Sequence, residues 1–193
     1  MEKYTYINEQ LIDNVRNQVK HMMEQKTLEI NSDKWNMLCI ALDTLEDMTL
    51  SIKYYIKTQF PRNDGGKYLY IFGLFQSLFV QQDAIKAIYK ALLNKEIDFK
   101  KFPYLNNIRN IRNDVVGHST GRGTSKNTPK RFMSISRTTM DKESFEYYTY
   151  FAQTATIERH EINVVKIIND QNKTINMMLE NIIYPKPQKL LSV

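Results

Sequence analysis

The sequence contains few cysteines, glycines and prolines, the residues that most constrain a fold through cross-links and turns. Its 193 residues include a single cysteine, Cys39, which excludes a disulfide framework and any metal site built from several cysteines. Six glycines and five prolines are too few for a sandwich or barrel of many short strands joined by turns. With 42% hydrophobic and 25% charged residues, the composition predicts one globular domain over residues 1–193.

Long apolar stretches are also missing. The longest unbroken apolar run covers residues 68–72, whereas a helix needs about 20 apolar residues to cross a bilayer. The opening residues, MEKYTYINEQ, contain no apolar core of a secretory signal. We therefore expect no membrane association and a location in the reducing cytoplasm.

Acidic residues are nearly absent from one stretch of the chain. Residues 100–137 contain nine lysines and arginines and one acid, Asp114, so this stretch carries a net charge of +8. The rest of the chain carries −2, and the whole chain therefore carries +6. A local excess of positive charge is typical of a site for a polyanion such as RNA or DNA. A solvated surface loop without a partner explains the charge equally well at this point.

Apolar residues recur at intervals of three and four in five segments. This period predicts helices over residues 7–30, 34–59, 67–94, 102–116 and 156–183. The third is the most apolar, so we expect it to lie centrally. Its polar exceptions are either hydrogen-bonded core groups, which we favour, or the lining of a site; they are Gln76, Gln81, Gln82 and Asp83.

Two further segments, residues 131–137 and 144–151, are rich in aromatic and β-branched residues and predict a β-hairpin. Two strands alone are marginally stable, so the hairpin is expected to lean on the helices or on a second chain. The predicted fold is all-α. It is an up-down bundle of about five helices, with residues 119–150 inserted before the last helix as a basic loop and a small hairpin.

No metal site and no cofactor are predicted. The three histidines, His21, His118 and His160, are far apart in sequence. The HEIN segment at residues 160–163 has Val164 where a zinc-protease helix needs its second histidine. Residues 121–126 resemble a phosphate loop in composition only, because the spacing of that motif is absent.

One group of residues in the basic stretch suits phosphodiester cleavage. Arg112 lies on the predicted fourth helix beside Arg109, and His118 follows the end of that helix after Gly117. An imidazole can move the proton of a 2′-hydroxyl near neutral pH, and a guanidinium can hold a phosphate oxygen and stabilise developing charge. On residue types alone a structural role is the better explanation, since arginine and histidine near a helix C-terminus stabilise its dipole by about 0.3–1 kcal/mol each.

The pattern of Arg112, the polar Asn113 and then His118 after five intervening residues resembles the motif of the HEPN superfamily (higher eukaryotes and prokaryotes nucleotide-binding domain). The helical pattern over residues 1–118 and in the last helix is similar to that family, whereas residues 119–150 lie outside its minimal core. The resemblance implies a metal-independent endoribonuclease. It works as a homodimer whose two motifs meet across the interface, often in toxin–antitoxin or anti-phage defence with an antitoxin protein as partner. Other members are non-catalytic modules that bind nucleic acid, nucleotides or proteins.

This resemblance implies a role for each candidate residue. His118 is the general acid or base, Arg112 binds the scissile phosphate, and Asn113 orients the phosphate or the histidine. The RNA backbone is expected to follow Arg109, Arg122, Lys126, Lys130 and Arg131. The aromatic residues in or near the basic stretch are either surfaces on which bases stack or, more often for such residues, part of the core; they are Tyr104, Phe132, Tyr147 and Tyr148.

Overall fold

The computed structural model describes residues 3–28, 30–117, 120–121 and 130–184, and this part of the chain is mostly helical. Its α-helices are α1 (Glu9–Glu24), α2 (Ser32–Lys57), α3 (Asp64–Leu93), α4 (Pro103–Arg112) and α5 (Val164–Ile183). Its strands are β1 (Arg131–Ile135), β2 (Ser144–Phe151) and β3 (Thr156–Asn163). No helix in this described part combines the length and apolarity that crossing a bilayer requires.

Each of the four longest helices begins after an asparagine that caps it. The side chains of Asn8, Asn31, Asn63 and Asn163 accept a hydrogen bond from a backbone N–H in the first turn of α1, α2, α3 and α5. Such a cap stabilises a helix by about 1 kcal/mol, because it satisfies an N–H that has no partner within the helix. The cap at Asn63 lets α3 begin at Asp64, three residues earlier than predicted.

The sheet has three strands in the order β1–β2–β3, all antiparallel, and this corrects the predicted hairpin. Both predicted strands are present, but residues 156–163 form β3 instead of the first turns of the last helix. Strand β3 pairs with β2 along its whole length, which gives the hairpin the third strand that two strands alone lack. The all-α prediction is therefore wrong for this part of the chain.

The core consists of two hydrophobic clusters separated by a layer of buried polar side chains. On α3 the layer is formed by Gln81 and Gln82, on α2 by Thr49 and on α5 by Gln171. Gln82 Nε2 donates to Gln171 Oε1 (2.8 Å), Gln171 Nε2 donates to Gln81 Oε1 (2.7 Å), and Gln81 Nε2 donates to Thr49 Oγ1 (3.1 Å). The prediction that the two α3 glutamines are hydrogen-bonded core groups is confirmed.

The segment before α1 lies along α5 and is held there by asparagine side chains. Asn169 accepts a hydrogen bond from the Thr5 N–H (2.6 Å), Asn172 donates to the Thr5 carbonyl (2.8 Å), and Asn176 accepts from the Asn8 N–H (2.9 Å). The three asparagines recur at intervals of three and four and so share one face of α5. They satisfy the backbone of an extended segment that pairs with none of the three described strands.

Candidate nucleic-acid interface

Arg112 is the last residue of α4, and its guanidinium lies against α3. Its Nε and Nη2 both donate to Gln76 Oε1 (3.1 and 2.9 Å), and its Nη1 donates to Asn113 Oδ1 (3.1 Å). Its Cζ lies 4.5 Å from the centroid of the Phe79 ring. Among the described residues no carboxylate forms an ion pair with Arg112. Neutral acceptors therefore fix the guanidinium, and no acid of the described residues balances its positive charge.

Arg109, one turn earlier on α4, has a different environment. Its Nη1 donates to Asp83 Oδ1 at 2.8 Å, so a carboxylate balances its charge. The guanidinium also covers the Phe79 ring, with Cζ 3.9 Å from the centroid. Asp83 and Gln76 are seven residues apart on α3, with Phe79 between them, and each holds one arginine of α4. These two polar residues of α3 therefore line the candidate site, while Gln81 and Gln82 lie in the core.

The chain continues from Arg112 as a π-helical turn, Asn113–Gly117, where a regular helix was predicted. Gly117 lies directly on the arginine, since a β-carbon at this residue would be 2.8 Å from Arg112 Nη1 and 3.7 Å from Asn113 Oδ1. Its φ is not in the left-handed region, so the glycine is not required for a turn here; it allows the arginine to approach closely. π-Helical turns of this kind are frequent at functional sites.

Asp114 connects this turn to the sheet. Its side chain is buried, with 8% of the residue exposed, and its carboxylate accepts hydrogen bonds from Arg131 Nη2 (3.3 Å) and the Tyr147 hydroxyl (3.5 Å). The Tyr147 ring in turn stacks on His160, with centroids 4.4 Å apart. The one acid of the basic stretch thus fixes the start of β1 beside the turn. Of the two alternatives for Tyr147, base stacking and the core, the structure shows the core, because its ring is buried on the inner face of the sheet.

The outer face of the sheet presents an aromatic surface. Phe132 on β1, Tyr150 on β2 and Ile157 on β3 form one cross-strand row. The Phe132 and Tyr150 rings stack with centroids 6.2 Å apart, and Tyr150 and Ile157 are 40% and 67% exposed. Lys130 Nζ lies 5.3 Å from the centroid of Phe132. Exposed π-faces beside a cation are the usual components of a base-stacking surface. We call this row with Lys130 the aromatic row.

Charge on this outer face is divided between its two ends. Away from the aromatic row, Arg159 Nη2 donates to Glu146 (2.6 Å) and to Glu161 (2.7 Å). The hydrogen bond from Arg159 lowers the pKa of Glu146. Tyr148 donates to the same glutamate, which ties its hydroxyl to the acidic end. The end formed by the aromatic row is therefore the one suited to a polyanion.

The structure brings together some of the residues predicted for the site. Arg112 and Asn113 are hydrogen-bonded neighbours, and Lys130 lies at the aromatic row. Arg109 and Arg131 each have a carboxylate partner that sequence reasoning missed. Three of the predicted site residues, His118, Arg122 and Lys126, lie outside the described residues. Two predicted stacking residues, Phe132 and Tyr148, lie on the outer face of the sheet, and Tyr104 is exposed on α4.

For Gln76 the sequence favoured a place in the core over the lining of a site, but the residue is exposed and does most to hold Arg112. Its signal was present, because a polar residue interrupts the apolar third helix there, but its partner is 36 residues away. Within the described residues, no three histidine, cysteine or acidic side chains come together as a metal site would require. No protein-family model matches the chain, and neither a curated protein nor a solved structure is significantly similar to it.

Proposed function

We propose that this chain is a metal-independent endoribonuclease of the HEPN type, a helical bundle that acts on RNA as a homodimer. The observation that carries the proposal is the environment of Arg112. Gln76 and Asn113 hold its guanidinium, no carboxylate among the described residues neutralises it, and Gly117 lies against it. His118 follows Gly117 in the sequence, so the residue that precedes the histidine is the one that contacts the arginine of the motif.

In the proposed reaction the 2′-oxygen of a ribose attacks the adjacent phosphorus. The bond from phosphorus to the 5′-oxygen of the next nucleotide breaks, which leaves a 2′,3′-cyclic phosphate and a 5′-hydroxyl. His118 of one copy takes the proton of the 2′-hydroxyl, and His118 of the second copy gives a proton to the leaving oxygen. Arg112 stabilises the extra negative charge on the pentacoordinate phosphorus, and Asn113 keeps the guanidinium in position.

Substrate binding in this proposal is largely electrostatic. The RNA backbone follows the lysines and arginines of the basic stretch, residues 100–137, and unpaired bases stack on the aromatic row. Counterions are released when phosphates meet lysine and arginine, so affinity falls steeply as salt is added. A nuclease of this kind acts as a toxin or as an anti-phage effector, and an antitoxin protein would be the partner that restrains it.

The test is cleavage of a single-stranded RNA in the presence of EDTA, with the products analysed for 2′,3′-cyclic phosphate ends. We expect H118A and R112Q each to slow cleavage by about 10²–10⁴-fold. Two variants serve as matched controls: H21A, an exposed histidine of α1, and R16Q, an arginine that pairs with Asp43 and Glu46. An RNA with 2′-deoxyribose at the cleaved position should stay intact. Cleavage by H118A at the parental rate would show that the assignment of His118 is wrong.

The second candidate is a non-catalytic dimeric module that binds nucleic acid or another partner. The aromatic row favours it, because stacking on Phe132 and Tyr150 beside Lys130 retains RNA without any chemical step. The same assay separates the two candidates. A wild-type protein that shifts RNA in a gel and leaves every phosphodiester intact is the expected result for the binding module.

A further inference from the structure

Strand β3 forms one edge of the sheet. It pairs with β2 along its whole length, and the described part of the chain places no strand on its other side. Six of its eight residues are exposed, and its sequence, TIERHEIN, contains neither the lysine nor the proline that often keeps other strands away from an edge. A strand of this length with an open edge is a template for the addition of a further strand.

The hydrogen bonds beside β3 show which of its backbone groups are free. The Val164 N–H donates to the Glu143 carbonyl (2.7 Å), and these two residues continue the register of β2 and β3. Because bonded pairs alternate along an antiparallel ladder, the even-numbered residues of β3 bond to β2. The N–H and C=O groups of Ile157, Arg159 and Glu161 therefore point away from the sheet. Among the described residues these groups have no backbone partner on that side.

A second copy of β3 can pair with this edge in antiparallel orientation about a twofold axis. The outward-pointing residues must then face one another, so the axis has to pass through a residue and not between two residues. With the axis at residue 158, 159 or 161, a charged side chain faces its own copy across the axis. Like charges in directly opposite positions are destabilising, so these registers are disfavoured.

The register with its axis at His160 brings opposite charges together. It pairs residues 157–163 of both copies and places Arg159 directly opposite Glu161 of the second copy, once on each side of the axis. Within one copy, Glu161 lies opposite Glu146 on β2, and both acids share the guanidinium of Arg159. The second copy thus supplies a cation to an edge with an excess of acid. The charges of β3 therefore favour a second copy of this chain and select one register.

We propose that two copies of this chain pair antiparallel through β3, with the twofold axis at His160. The backbone groups of Arg159 exchange hydrogen bonds with those of Glu161 of the second copy, and their side chains form an ion pair on the outer face. Two three-stranded sheets become one sheet of six strands. Since facing residues of paired strands project to the same face, the two aromatic rows lie on one surface. The pairing uses no residue of the Arg112 site and does not rest on the proposed nuclease.

Sedimentation of the full chain without RNA, at concentrations on both sides of about 100 µM, tests the pairing. The contact is small, so we expect a dimer with a Kd of about this value or tighter. R159E and E161R should each weaken it at least about tenfold, because two attractive pairs become two repulsive ones. An equimolar mixture of R159E and E161R should dimerise again, since each charge at these two positions then faces its opposite. K20E, which reverses an exposed charge on α1, is the control and should dimerise as the parent does.

A disulfide tests the register. In a C39S background, H160C should cross-link two copies on oxidation, because the Cα atoms of a facing pair without hydrogen bonds are about 4.5 Å apart. T156C is the control and should stay uncrosslinked, since its two copies lie about 27 Å apart in this register. Thermal melts confirm the fold of each variant. Should H160C fail to fold, the mixture of R159E and E161R tests the same pairing.

Three outcomes overturn the proposal. A chain that is monomeric at every concentration does not pair through β3. A dimer that neither R159E nor E161R weakens is formed through another surface, and this result leaves the proposed nuclease untouched. Cross-linking through R159C in preference to H160C places the axis at residue 159 and excludes the proposed ion pairs.

Discussion

Gly117 lies so close to the guanidinium of Arg112 that a β-carbon on residue 117 would stand 2.8 Å from Nη1. That nitrogen is the one that donates to Asn113 Oδ1. Any side chain at residue 117 therefore moves the arginine away from its neutral partner. Because the crowded atom is the far end of a flexible side chain, the arginine can yield without disturbing the backbone.

This contact predicts that G117A reduces RNA cleavage and leaves the stability of the fold nearly unchanged. We expect RNA cleavage to fall at least tenfold, because the guanidinium no longer sits where Gln76 and Asn113 hold it. The free energy of unfolding should change by less than about 1 kcal/mol. The two quantities are measured by the cleavage assay and by urea denaturation. The matched control is G73A, since an added β-carbon at Gly73 on α3 would have no atom within 4 Å apart from its chain neighbours and the adjacent backbone of its own helix. G73A should leave cleavage intact and stabilise the protein by about 0.5–1 kcal/mol. Undiminished cleavage by G117A would contradict the proposed role of Arg112.

The aromatic row predicts a preference for single strands. Y150A should weaken binding of single-stranded RNA by about 1–3 kcal/mol, since a base loses its stacking partner, while weak binding of duplex RNA should not change. Fluorescence anisotropy with both RNAs measures this difference. Y184A, which removes an exposed tyrosine after α5, is the control and should bind as the parent does.

The salt dependence of binding tests Lys130 separately from the rings. K130Q removes a cation, so the slope of log affinity against log salt should become shallower by about one. Y150A removes no charge and should leave that slope unchanged. If both substitutions change the slope equally, the aromatic row does not act as described.

The polar layer between the two hydrophobic clusters predicts that Q171L is strongly destabilising. Gln171 accepts from Gln82 and donates to Gln81 and to the Leu78 carbonyl, so a leucine leaves several buried groups unpaired. We expect a loss of about 2–5 kcal/mol in the free energy of unfolding, measured by urea denaturation. I168V, one turn away on the same helix, removes a single methyl group and should cost about 0.5–1.5 kcal/mol. A Q171L cost as small as that of I168V would mean that the layer contributes nothing specific.

The period of apolar residues was sufficient to predict the five helices, because each buries one face and the pattern is local. Strand β3 was not predictable in the same way. Its sequence, TIERHEIN, has only two apolar residues, and Ile157 and Ile162 fall on opposite faces of the strand. Its structure depends on pairing with β2, which the segment itself does not encode.

The candidate site also combines features that the local sequence predicts with features that depend on distant elements. Arg112 and Asn113 are adjacent in sequence, so their association could be predicted from local spacing. Their environment depends on α3, because the packing of α3 against α4 brings Gln76 and Asp83 to the arginines of α4. Likewise, Gln81 and Gln82 could be recognised from the sequence because they interrupt the apolar pattern of α3. Nothing in the sequence linked them to Gln171 on α5. Contacts between distant elements account for what sequence reasoning missed.

Burial of two tyrosines predicts a loss of stability at alkaline pH. The Tyr89 hydroxyl donates to the Met178 carbonyl, and burial raises the pKa of Tyr89 to about 12. In the unfolded chain a tyrosine titrates near pH 10, so between about pH 10 and 12 the unfolded state loses a proton that the folded state keeps. Stability is therefore fully present below about pH 10 and falls as the pH rises through that window, by up to about 2–3 kcal/mol for this residue. Burial raises the pKa of Tyr55 as well, which adds to the loss.

Urea midpoints measured at pH 8 and at pH 11 test this prediction. The parent should lose stability between the two, and Y89F should lose less, because phenylalanine has no proton to release from the unfolded chain. Y89F should also start from a lower value at pH 8, since it lacks the hydrogen bond to the Met178 carbonyl. Y184F removes a hydroxyl from the surface and should follow the parent at both pH values. An alkaline loss that is the same in Y89F and in the parent would assign the effect to other groups.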